Sequence, residues 1–284
     1  MVYARVPVSA LRITGLNPGL STGQGGKLRQ KKAMLIDLTL CVGCNACQAA
    51  CKEENQLPPN EEKYLSLTAY TALSKYNDVH VRRLCQHCDV PTCVSVCPVG
   101  ALAKQAEGPV AYDAEKCIGC RYCLQACPFH VPKYEWSSTK PRIQKCRFCA
   151  PRLAKGQQPA CAEACPTAAT LFGDREELLV EATRRITAEP TKFIPRVYGK
   201  DDVGGTSMFY LSAVPFEQLG FDPRLGKTPL PMLTMSALSK VPNVLSVGGV
   251  VLGGIWWITN RRGEVQGSGS AEEKDSSSHP EENA

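Results

Sequence analysis

Cysteine is the residue type whose number and spacing most clearly predict chemistry in this sequence. The chain of 284 residues contains 16 cysteines, and all of them fall into four groups of four. Thiols at this density can form disulfides, bind zinc or bind iron-sulfur clusters, so the spacing has to separate these alternatives. The groups are, in chain order, Cys41, Cys44, Cys47 and Cys51; Cys85, Cys88, Cys93 and Cys97; Cys117, Cys120, Cys123 and Cys127; and Cys146, Cys149, Cys161 and Cys165.

The third group has the spacing Cys-x2-Cys-x2-Cys-x3-Cys-Pro, which is typical of [4Fe-4S] ligands in bacterial ferredoxins. In that motif three thiolates bind one cluster, while the fourth cysteine binds the cluster of a partner motif. The first group repeats this spacing but is followed by Lys52 instead of proline. The second and fourth groups widen the middle gap to four and eleven residues. We therefore expect four cluster-binding motifs that act in pairs.

Disulfides and zinc sites explain the pattern less well. Disulfide frameworks are typical of short secreted domains, whereas this chain is long and repeats a Cys-x2-Cys pair in every group. Zinc modules usually present two separated cysteine pairs, but two groups here have three cysteines at consecutive x2 intervals. A zinc-binding scaffold is kept as an alternative of a different class.

The basic balance of the sequence does not by itself predict nucleic-acid binding. The formal net charge is +6. An oxidised [4Fe-4S] core with four thiolates carries about −2, so four clusters change the total to roughly −2. We expect cations near the cysteines to balance buried anionic clusters, with a solvated basic surface, and hence a nucleic-acid module, as the alternative. These cations are Lys52, Arg82, Arg83, Lys116, Arg121, Lys145 and Arg147.

The other residue types offer no catalytic constellation. The sequence has no nucleotide-binding loop and no acid-base pair, and its histidines are too few and too scattered for haem or a metal triad. His87 lies between Cys85 and Cys88, and we expect a surface imidazole or a neighbour of the ligands rather than an iron ligand. The histidines are His80, His87, His130 and His279. Electron transfer, without catalysis of its own, is the function that remains.

Short strands and helices must hold these motifs in place, which puts the chain in the α+β class. Apolar or alternating runs predict strands at 33–38, 79–84 and 142–145, a hairpin at 108–112, and a strand at 170–172. Asp174 begins a predicted helix that reaches Glu189, with Glu177 as its capping-box partner. The polar stretch 53–78 predicts an inserted loop or helix.

Residues 190–240 have no sustained period and contain many prolines and glycines. A long segment without regular structure in a compact protein is usually functional, so we expect an arm that binds a partner subunit rather than a disordered one. The aromatic side chains expected to make that contact are Phe209, Tyr210, Phe216 and Phe221.

Residues 241–260 contain no charged side chain. At about 1.5 Å per residue their helix would match the roughly 30 Å core of a bilayer, which predicts one C-terminal transmembrane helix. Gly249 and Gly253 would let a neighbouring membrane helix approach closely. A buried helix of a soluble domain is the alternative, which the glycines disfavour.

The flanks of this span predict its orientation. Trp256 and Trp257 lie where an aromatic belt forms, and Arg261 with Arg262 predicts a cytoplasmic end. We therefore expect a membrane-anchored protein with a periplasmic cluster domain and a cytoplasmic, disordered tail at 261–284. Residues 1–32 are basic and glycine-containing without an apolar signal region, so we expect a flexible arm and no export signal.

Spacing alone does not decide how the motifs pair. Cys117 follows Cys97 by 20 positions, and Cys146 follows Cys127 by 19. The third motif could therefore pair with either of its neighbours.

The whole pattern resembles the iron-sulfur beta subunit of membrane-bound respiratory formate dehydrogenases. It has the same order of four cysteine groups, a Val-Gly-Gly-Thr stretch at 203–206, an irregular segment and one apolar C-terminal span. The wider family contains corresponding four-cluster, ferredoxin-like subunits of molybdopterin oxidoreductases, including dimethyl sulfoxide, polysulfide and nitrate reductases, and of some membrane hydrogenases. The resemblance covers roughly residues 33–262. Residues 1–32 and the missing proline after Cys51 depart from it.

The resemblance implies two nested ferredoxin-like domains of the bacterial 2[4Fe-4S] type. An inner domain, 79–139, would be inserted into an outer one formed by 33–78 and 140–189. The implied ligands are Cys41, Cys44, Cys47 and Cys165 for cluster one; Cys51, Cys146, Cys149 and Cys161 for cluster two; Cys85, Cys88, Cys93 and Cys127 for cluster three; and Cys97, Cys117, Cys120 and Cys123 for cluster four.

The resemblance also implies partners. A molybdenum or tungsten catalytic subunit, with formate as the first expected substrate, would exchange electrons with a quinone-reactive membrane subunit or cytochrome through this chain. That membrane subunit would pack on the Gly249 and Gly253 face. The same relay in a hydrogenase or in a sulfur or sulfoxide reductase is the alternative. Export would depend on binding to a partner that carries a signal.

Overall fold

The computed structural model describes residues 30–139 and 141–269 of the chain. This part contains short strands and short helices, apart from two longer helices. The strands are β1 (Lys32–Asp37), β2 (Thr71–Tyr76), β3 (Val79–Leu84), β4 (Leu102–Lys104), β5 (Val110–Tyr112), β6 (Lys133–Tyr134), β7 (Ile143–Gln144), β8 (Thr170–Asp174) and β9 (Met208–Leu211). The helices are α1 (Ala46–Glu54), α2 (Thr92–Ser95), α3 (Tyr122–Ala126), α4 (Ala150–Ala154), α5 (Ala160–Glu163), α6 (Arg175–Ala188), α7 (Leu230–Leu238) and α8 (Val241–Gly269).

The largest sheet joins distant parts of the chain in the order β8-β1-β9. β1 is antiparallel to β8, with Lys32 opposite Asp174, and parallel to β9, with Met34 opposite Met208. Both faces of β1 are covered, since Leu35 packs in the core beneath α6 while Met34 packs in the main core on the other face. A central strand covered on both faces is continuously apolar, which is why residues 33–38 predict it well.

α6 confirms the helix predicted to begin after Asp174 and packs Leu178 and Ala182 against the sheet. The predicted capping box is wrong, because the Asp174 side chain makes no capping hydrogen bond. Its carboxylate instead accepts a hydrogen bond of 2.6 Å from Lys32 Nζ on the neighbouring strand. The Asp174 carboxylate therefore contributes to the pairing of β1 with β8 and does not make the α6 cap that the local sequence predicts.

Three hairpins, β2–β3, β4–β5 and β6–β7, hold the other strands. β2 corrects the expectation of a loop or helix for the whole of 53–78. It forms because β3 supplies a partner edge in full register, from Thr71 opposite Leu84 to Tyr76 opposite Val79. The hairpins β4–β5 and β6–β7 share a separate small core.

The segment after α6 is not free to bind a partner through its aromatic side chains. Phe209 and Tyr210 are 0% exposed in β9, and Phe216 and Phe221 are also buried. Tyr198 lies among them, with its ring 4.5 Å from that of Phe221. The expectation that these aromatic residues contact another subunit is therefore wrong, because they complete the core of this chain.

The described residues up to Pro229 form one compact unit, and Leu230 begins a second, which contains α7 and α8. α8 starts at Val241 as predicted, and the helical stretch Leu230–Arg262, which joins α7 to α8, is apolar and long enough to cross a membrane by length and composition. None of the described side chains in its apolar window is buried. The buried-helix alternative is thus not supported in the described part of the chain.

α8 is helical as far as Gly269, the last residue that the structure describes, so residues 261–269 are helical rather than disordered as expected. Extending an existing helix costs far less than starting one, which lets it continue past the last apolar residue. Residues 1–29 and 270–284 lie outside the described residues. The predictions of a flexible arm and of a disordered tail remain predictions there.

Candidate iron-sulfur centres

The four cysteine motifs share one backbone turn. The second residue after the first cysteine has a positive φ in every motif: 74° at Gly43, 47° at His87, 71° at Gly119 and 57° at Phe148. Glycine adopts this conformation without penalty, whereas His87 and Phe148 are both 0% exposed and held by their surroundings. Turns of this kind direct successive N–H groups into a concavity that suits an anion.

Short helices follow these turns and carry the next cysteines. α1 contains Cys47 and Cys51, and α5 contains Cys161. α2 contains Cys93, and α3 contains Cys123. The α4 helix and a short loop fill the eleven-residue gap of the fourth motif, so the gap does not separate its ligands.

The chain leaves three of the motifs in the same way. The third residue after the last cysteine has a positive φ at Gly100, His130 and Ala168. In the second motif this exit brings the Ala101 N–H group within 3.2 Å of Cys97 Sγ, to which it donates. These are the three motifs in which proline follows the cysteine.

The first motif leaves differently, and its missing proline explains the difference. Cys51 lies inside α1, which continues to Glu54 because Lys52 can supply the helical N–H group that proline lacks. Asn55 ends this helix and donates 2.7 Å to the Cys51 carbonyl. The departure from the family pattern therefore changes the helix end without moving Cys51 out of the core, where it is buried.

Two of the predicted ligand sets each line a pocket. Cys97, from the second motif, lines one pocket with the first three cysteines of the third motif. Cys165, from the fourth motif, lines another with the first three cysteines of the first motif. One cysteine of each pocket is exposed, Cys120 in the former and Cys44 in the latter.

The set predicted for cluster two also converges. Burial raises the pKa of the Cys51 thiol to about 12, and the neighbouring Cys161 thiol adds to this rise. Burial raises the pKa of the Cys146 thiol as well, and Cys51 and Cys161 are the thiols that contribute most after it. Burial likewise raises the pKa of the Cys149 thiol, and Cys161 is the thiol that adds to this rise.

The set predicted for cluster three converges in the same way. Burial raises the pKa of the Cys88 thiol, and the thiols that add to the rise are Cys85, Cys127 and Cys93. Burial raises the pKa of the Cys93 thiol to about 12. Thiols of this kind must lose their protons to bind metal, so binding of a cluster to this set would be coupled to proton release.

Within residues 30–139 and 141–269, no three His, Cys, Asp or Glu side chains are placed to hold one metal ion. In a [4Fe-4S] cluster each thiolate binds a different iron, so the thiols of one set need not meet at a single point.

The seven cations expected to balance the clusters do not share one role. Lys52 is buried but pairs with Glu62, at 2.8 Å. Arg83 lies over the Phe221 ring, 4.1 Å from its centroid. Arg121 lies over Trp136, Lys116 pairs with Asp113 at 3.3 Å, and Arg147 lies over the Tyr70 ring. Arg82 and Lys145 are the two that combine burial with an influence on cysteine thiols.

His87 is buried rather than on the surface, which removes one of its two expected placements. Its Nδ1 atom accepts a hydrogen bond of 2.9 Å from the Val110 N–H group. Burial lowers its pKa well below the usual value, and Lys145 and Lys104 lower it further. The imidazole is thus a neutral side chain packed beside the ligand loop.

Asp89 is a structural residue that the sequence did not single out. It lies in the widened gap of the second motif, where its N–H group donates 2.9 Å to the Gly205 carbonyl. Its carboxylate pairs with Arg175 at 3.4 Å, Lys31 at 3.5 Å and Lys104 at 3.8 Å. The extra residues of the gap thus tie the motif to α6 and β4, and a lone acidic residue among nearby cations was the available signal.

Comparison with known proteins gives a consistent result. The family model of the 4Fe-4S dicluster domain matches residues 77–175. A protein of Nitratidesulfovibrio vulgaris is 38% identical over 276 residues, which cover 91% of this chain and 75% of that protein.

Two further relatives have descriptive names. Hydrogenase-2 operon protein HybA of Escherichia coli O157:H7 is 36% identical over 233 residues, covering 66% of this chain and 71% of the relative. Formate dehydrogenase-O iron-sulfur subunit of Escherichia coli K12 is 34% identical over 221 residues, covering 69% and 71%.

Proposed function

This chain belongs to the family of 4Fe-4S iron-sulfur subunits that includes HybA and the formate dehydrogenase iron-sulfur subunits, and we propose that it relays single electrons through four [4Fe-4S] clusters. Such clusters supply one-electron redox chemistry when bound. The observation that carries the proposal is the convergence of four cysteine groups, each drawn from two motifs.

The proposed ligand sets follow the nested pairing. The pairing of β1 with β8 supports it, because these strands bring the first and fourth motifs together while the second and third lie between them in the chain. The sets are Cys41, Cys44, Cys47 and Cys165 for cluster one; Cys51, Cys146, Cys149 and Cys161 for cluster two; Cys85, Cys88, Cys93 and Cys127 for cluster three; and Cys97, Cys117, Cys120 and Cys123 for cluster four.

Neighbouring thiols of different sets support a linear order from one to four. Burial raises the pKa of the Cys47 thiol, and Cys161 is the thiol that contributes most to it, which links sets one and two. Burial raises the pKa of the Cys146 thiol most, followed by Cys51 and Cys161 of its own set and then by Cys85 of set three. This last contribution links sets two and three.

The last link joins sets three and four. Burial raises the pKa of the Cys93 thiol, and Cys123 is among the thiols that add to it. Each end set of this order has one exposed cysteine, Cys44 at one end and Cys120 at the other, whereas no cysteine of the two middle sets is exposed. Exposed cysteines at both ends suit a relay that exchanges electrons with two different partners.

The residues of this chain would bind the clusters, exclude water from them and orient N–H groups toward their sulfur ligands. The positive-φ turns direct N–H groups toward the ligand sulfurs, as the Phe148 N–H group does toward Cys146 Sγ at 3.4 Å. Hydrogen bonds to sulfur and exclusion of water are the means by which a protein sets cluster potentials. No step of catalysis on a small substrate is assigned to this chain.

The partners proposed are a molybdenum or tungsten catalytic subunit, with formate as substrate, and a quinone-reactive membrane subunit or cytochrome. The name of the formate dehydrogenase-O relative supports formate. The name of HybA supports the second candidate, a hydrogenase complex with the same relay. With a formate dehydrogenase or a hydrogenase, electrons would move from the catalytic subunit through this chain to the membrane subunit. In a sulfur or sulfoxide reductase they would move in the opposite direction.

The second unit is proposed to anchor the relay in a membrane. α8 would span the bilayer, with the cluster domain periplasmic and the C-terminal tail cytoplasmic. Apart from the backbone of α8 itself, no atom of the described residues lies within 4 Å of where a Cβ on Gly249 or Gly253 would be. That face is therefore open to a membrane subunit.

The test is reduction of the co-purified complex. The full-length chain is isolated with its partners without oxygen, and its visible iron-sulfur absorption is followed after adding formate or hydrogen. The proposal predicts bleaching by one of these substrates and recovery with a quinone analogue. A Cys120→Ser variant tests one exposed end of the relay, because damage to a terminal cluster should slow electron transfer from the substrate to the quinone analogue. Absence of iron-sulfur absorption, or absorption that no substrate of a co-purified subunit bleaches, would contradict the proposal.

A further inference from the structure

Arg82 is a buried cation without an acidic partner among the described residues. It is 2% exposed, and the groups that favour its charged form are thiols and a phenol rather than carboxylates. Removing a charged side chain from water destabilises the folded protein by several kcal/mol unless a nearby anion compensates the charge. The surroundings of Arg82 therefore require a negative group that the carboxylates do not provide.

The guanidinium is held in one orientation. Nε donates 3.0 Å to Thr71 Oγ1 on β2, and Nη1 donates 3.0 Å to Thr170 Oγ1 on β8. The backbone is also fixed, because the Arg82 carbonyl accepts a hydrogen bond of 3.1 Å from Tyr210 Oη. Three separate strands thus position this one side chain.

The remaining nitrogen, Nη2, is buried and has no hydrogen-bond partner among the described residues. Arg82 lines the pocket that contains Cys41, Cys44, Cys47 and Cys165. The Cys161 and Cys47 thiols lie near the guanidinium, which is charged at neutral pH in proteins. Cys47 belongs to the proposed ligands of cluster one and Cys161 to those of cluster two.

We propose that Arg82 sets the reduction potentials of clusters one and two by holding its charge and its unpartnered Nη2–H group near the Cys47 and Cys161 thiols. The inference rests on the proposed relay. Reduction adds one electron to an already anionic cluster, so a fixed positive charge stabilises the reduced form more than the oxidised form. A hydrogen bond to a ligand sulfur acts in the same direction. Arg82 is thus a positioning residue that raises both potentials.

The test compares potentials in Arg82→Gln and Arg82→Lys variants of the full-length chain. Redox titration followed by electron paramagnetic resonance measures each cluster, and Cys44→Ser and Cys149→Ser variants assign the signals of clusters one and two. In Arg82→Gln we expect the ratio of reduced to oxidised forms of both clusters, at a fixed applied potential, to fall about tenfold. That fall corresponds to about 59 mV for a one-electron couple.

The expected pattern is specific. Clusters three and four should keep their potentials in Arg82→Gln, and Arg82→Lys should shift clusters one and two in the same direction but less, because it keeps the charge. Arg184→Gln is the matched control, since Arg184 is an exposed arginine on α6 that pairs with Glu181. It should change no potential.

Two outcomes would overturn the inference. Unchanged potentials of clusters one and two in either Arg82 variant would do so, as would an equal shift of all four clusters. If Arg82→Gln does not retain its iron and sulfide, Arg82→Lys and Thr170→Val supply the measurement. Thr170→Val keeps the charge but releases one of its anchors, so it should shift the same two clusters. A wild-type chain without clusters would instead refute the relay itself.

Discussion

At the residue scale, the ligand loops depend on backbone conformation as much as on the thiols. Gly43 and Gly119 occupy the turn with φ of 74° and 71°, while His87 and Phe148 reach a similar turn as buried side chains. At Gly43 an added Cβ would collide with the His80 imidazole on β3. This glycine therefore meets two requirements at once, a positive φ and a close approach.

Gly43→Ala should impair cluster one, because strain and the clash with His80 act on the loop that carries Cys41 and Cys44. We expect loss of the cluster one signal, with clusters three and four retained, in electron paramagnetic resonance. Gly156→Ala is the matched control: its φ is 72°, but no atom lies within 4 Å of the added Cβ. It should bear only the backbone cost of about 1–2 kcal/mol and keep all its iron. Equal iron loss in both variants would refute the role of the close approach.

The pairing of motifs is a second prediction at this scale. Cys51→Ser should disturb the cluster held by Cys146, Cys149 and Cys161, and leave the clusters of the inner pair intact. Cys97→Ser provides the reciprocal case and should disturb the cluster held by the third motif. Electron paramagnetic resonance distinguishes them. Loss of the Cys85 group's cluster in Cys51→Ser would favour pairing between motifs adjacent in the chain.

At the element scale, the sheet β8-β1-β9 and the aromatic cluster around Tyr198 hold the outer motifs together. β9 has only four residues, all buried, and its partner β1 lies far away in the sequence. No alternation marks such a strand, so sequence patterns predict β1, β3, β8 and α6 but not β9. The cap of α6 failed for the same reason, since Lys32 reaches Asp174 only through tertiary pairing.

Phe216→Ala should destabilise the first unit by about 3–5 kcal/mol, because it removes a buried ring from a packed core. Phe216 is 2% exposed, and its ring lies 5.4 Å from Phe221 and 5.2 Å from Tyr198. Urea denaturation of the cluster-loaded protein, followed by visible absorption, measures this loss. Val180→Ala on the exposed face of α6 should change stability by less than about 0.5 kcal/mol. Similar midpoints for the two variants would show that the segment after α6 is not part of the core.

At the scale of the whole molecule, the chain combines a cluster-binding unit with a separate apolar unit. Cysteine spacing predicts the cluster-binding unit because the geometry of a cluster restricts how its ligands are spaced along the chain. The length of the apolar run predicts α8 because the thickness of a bilayer restricts the length and composition of a spanning helix. The placement of Arg82 could not be predicted, since it depends on Thr71 and Thr170 from two other strands. The helical conformation of residues 261–269 was missed because the extension of a helix does not require apolar residues.

Val250→Arg tests the membrane role of the second unit. Val250 is 77% exposed in the middle of the apolar span, and a central arginine costs about 2.5–3.5 kcal/mol of insertion. We expect a larger share of the chain to be released from membranes by carbonate extraction. Val180→Arg introduces the same change at a residue that is 70% exposed on α6, and should leave the membrane share unchanged. An unaltered extraction profile for Val250→Arg would argue against a spanning α8.

The iron and acid-labile sulfide content of the full-length protein, purified without oxygen, tests most directly whether this chain binds four [4Fe-4S] clusters. Four clusters require about sixteen iron and about sixteen sulfide per chain, with visible absorption that dithionite bleaches. Zinc without acid-labile sulfide would contradict the binding of four clusters. Iron for only two clusters, in a protein whose sixteen thiols are all intact, would also contradict it.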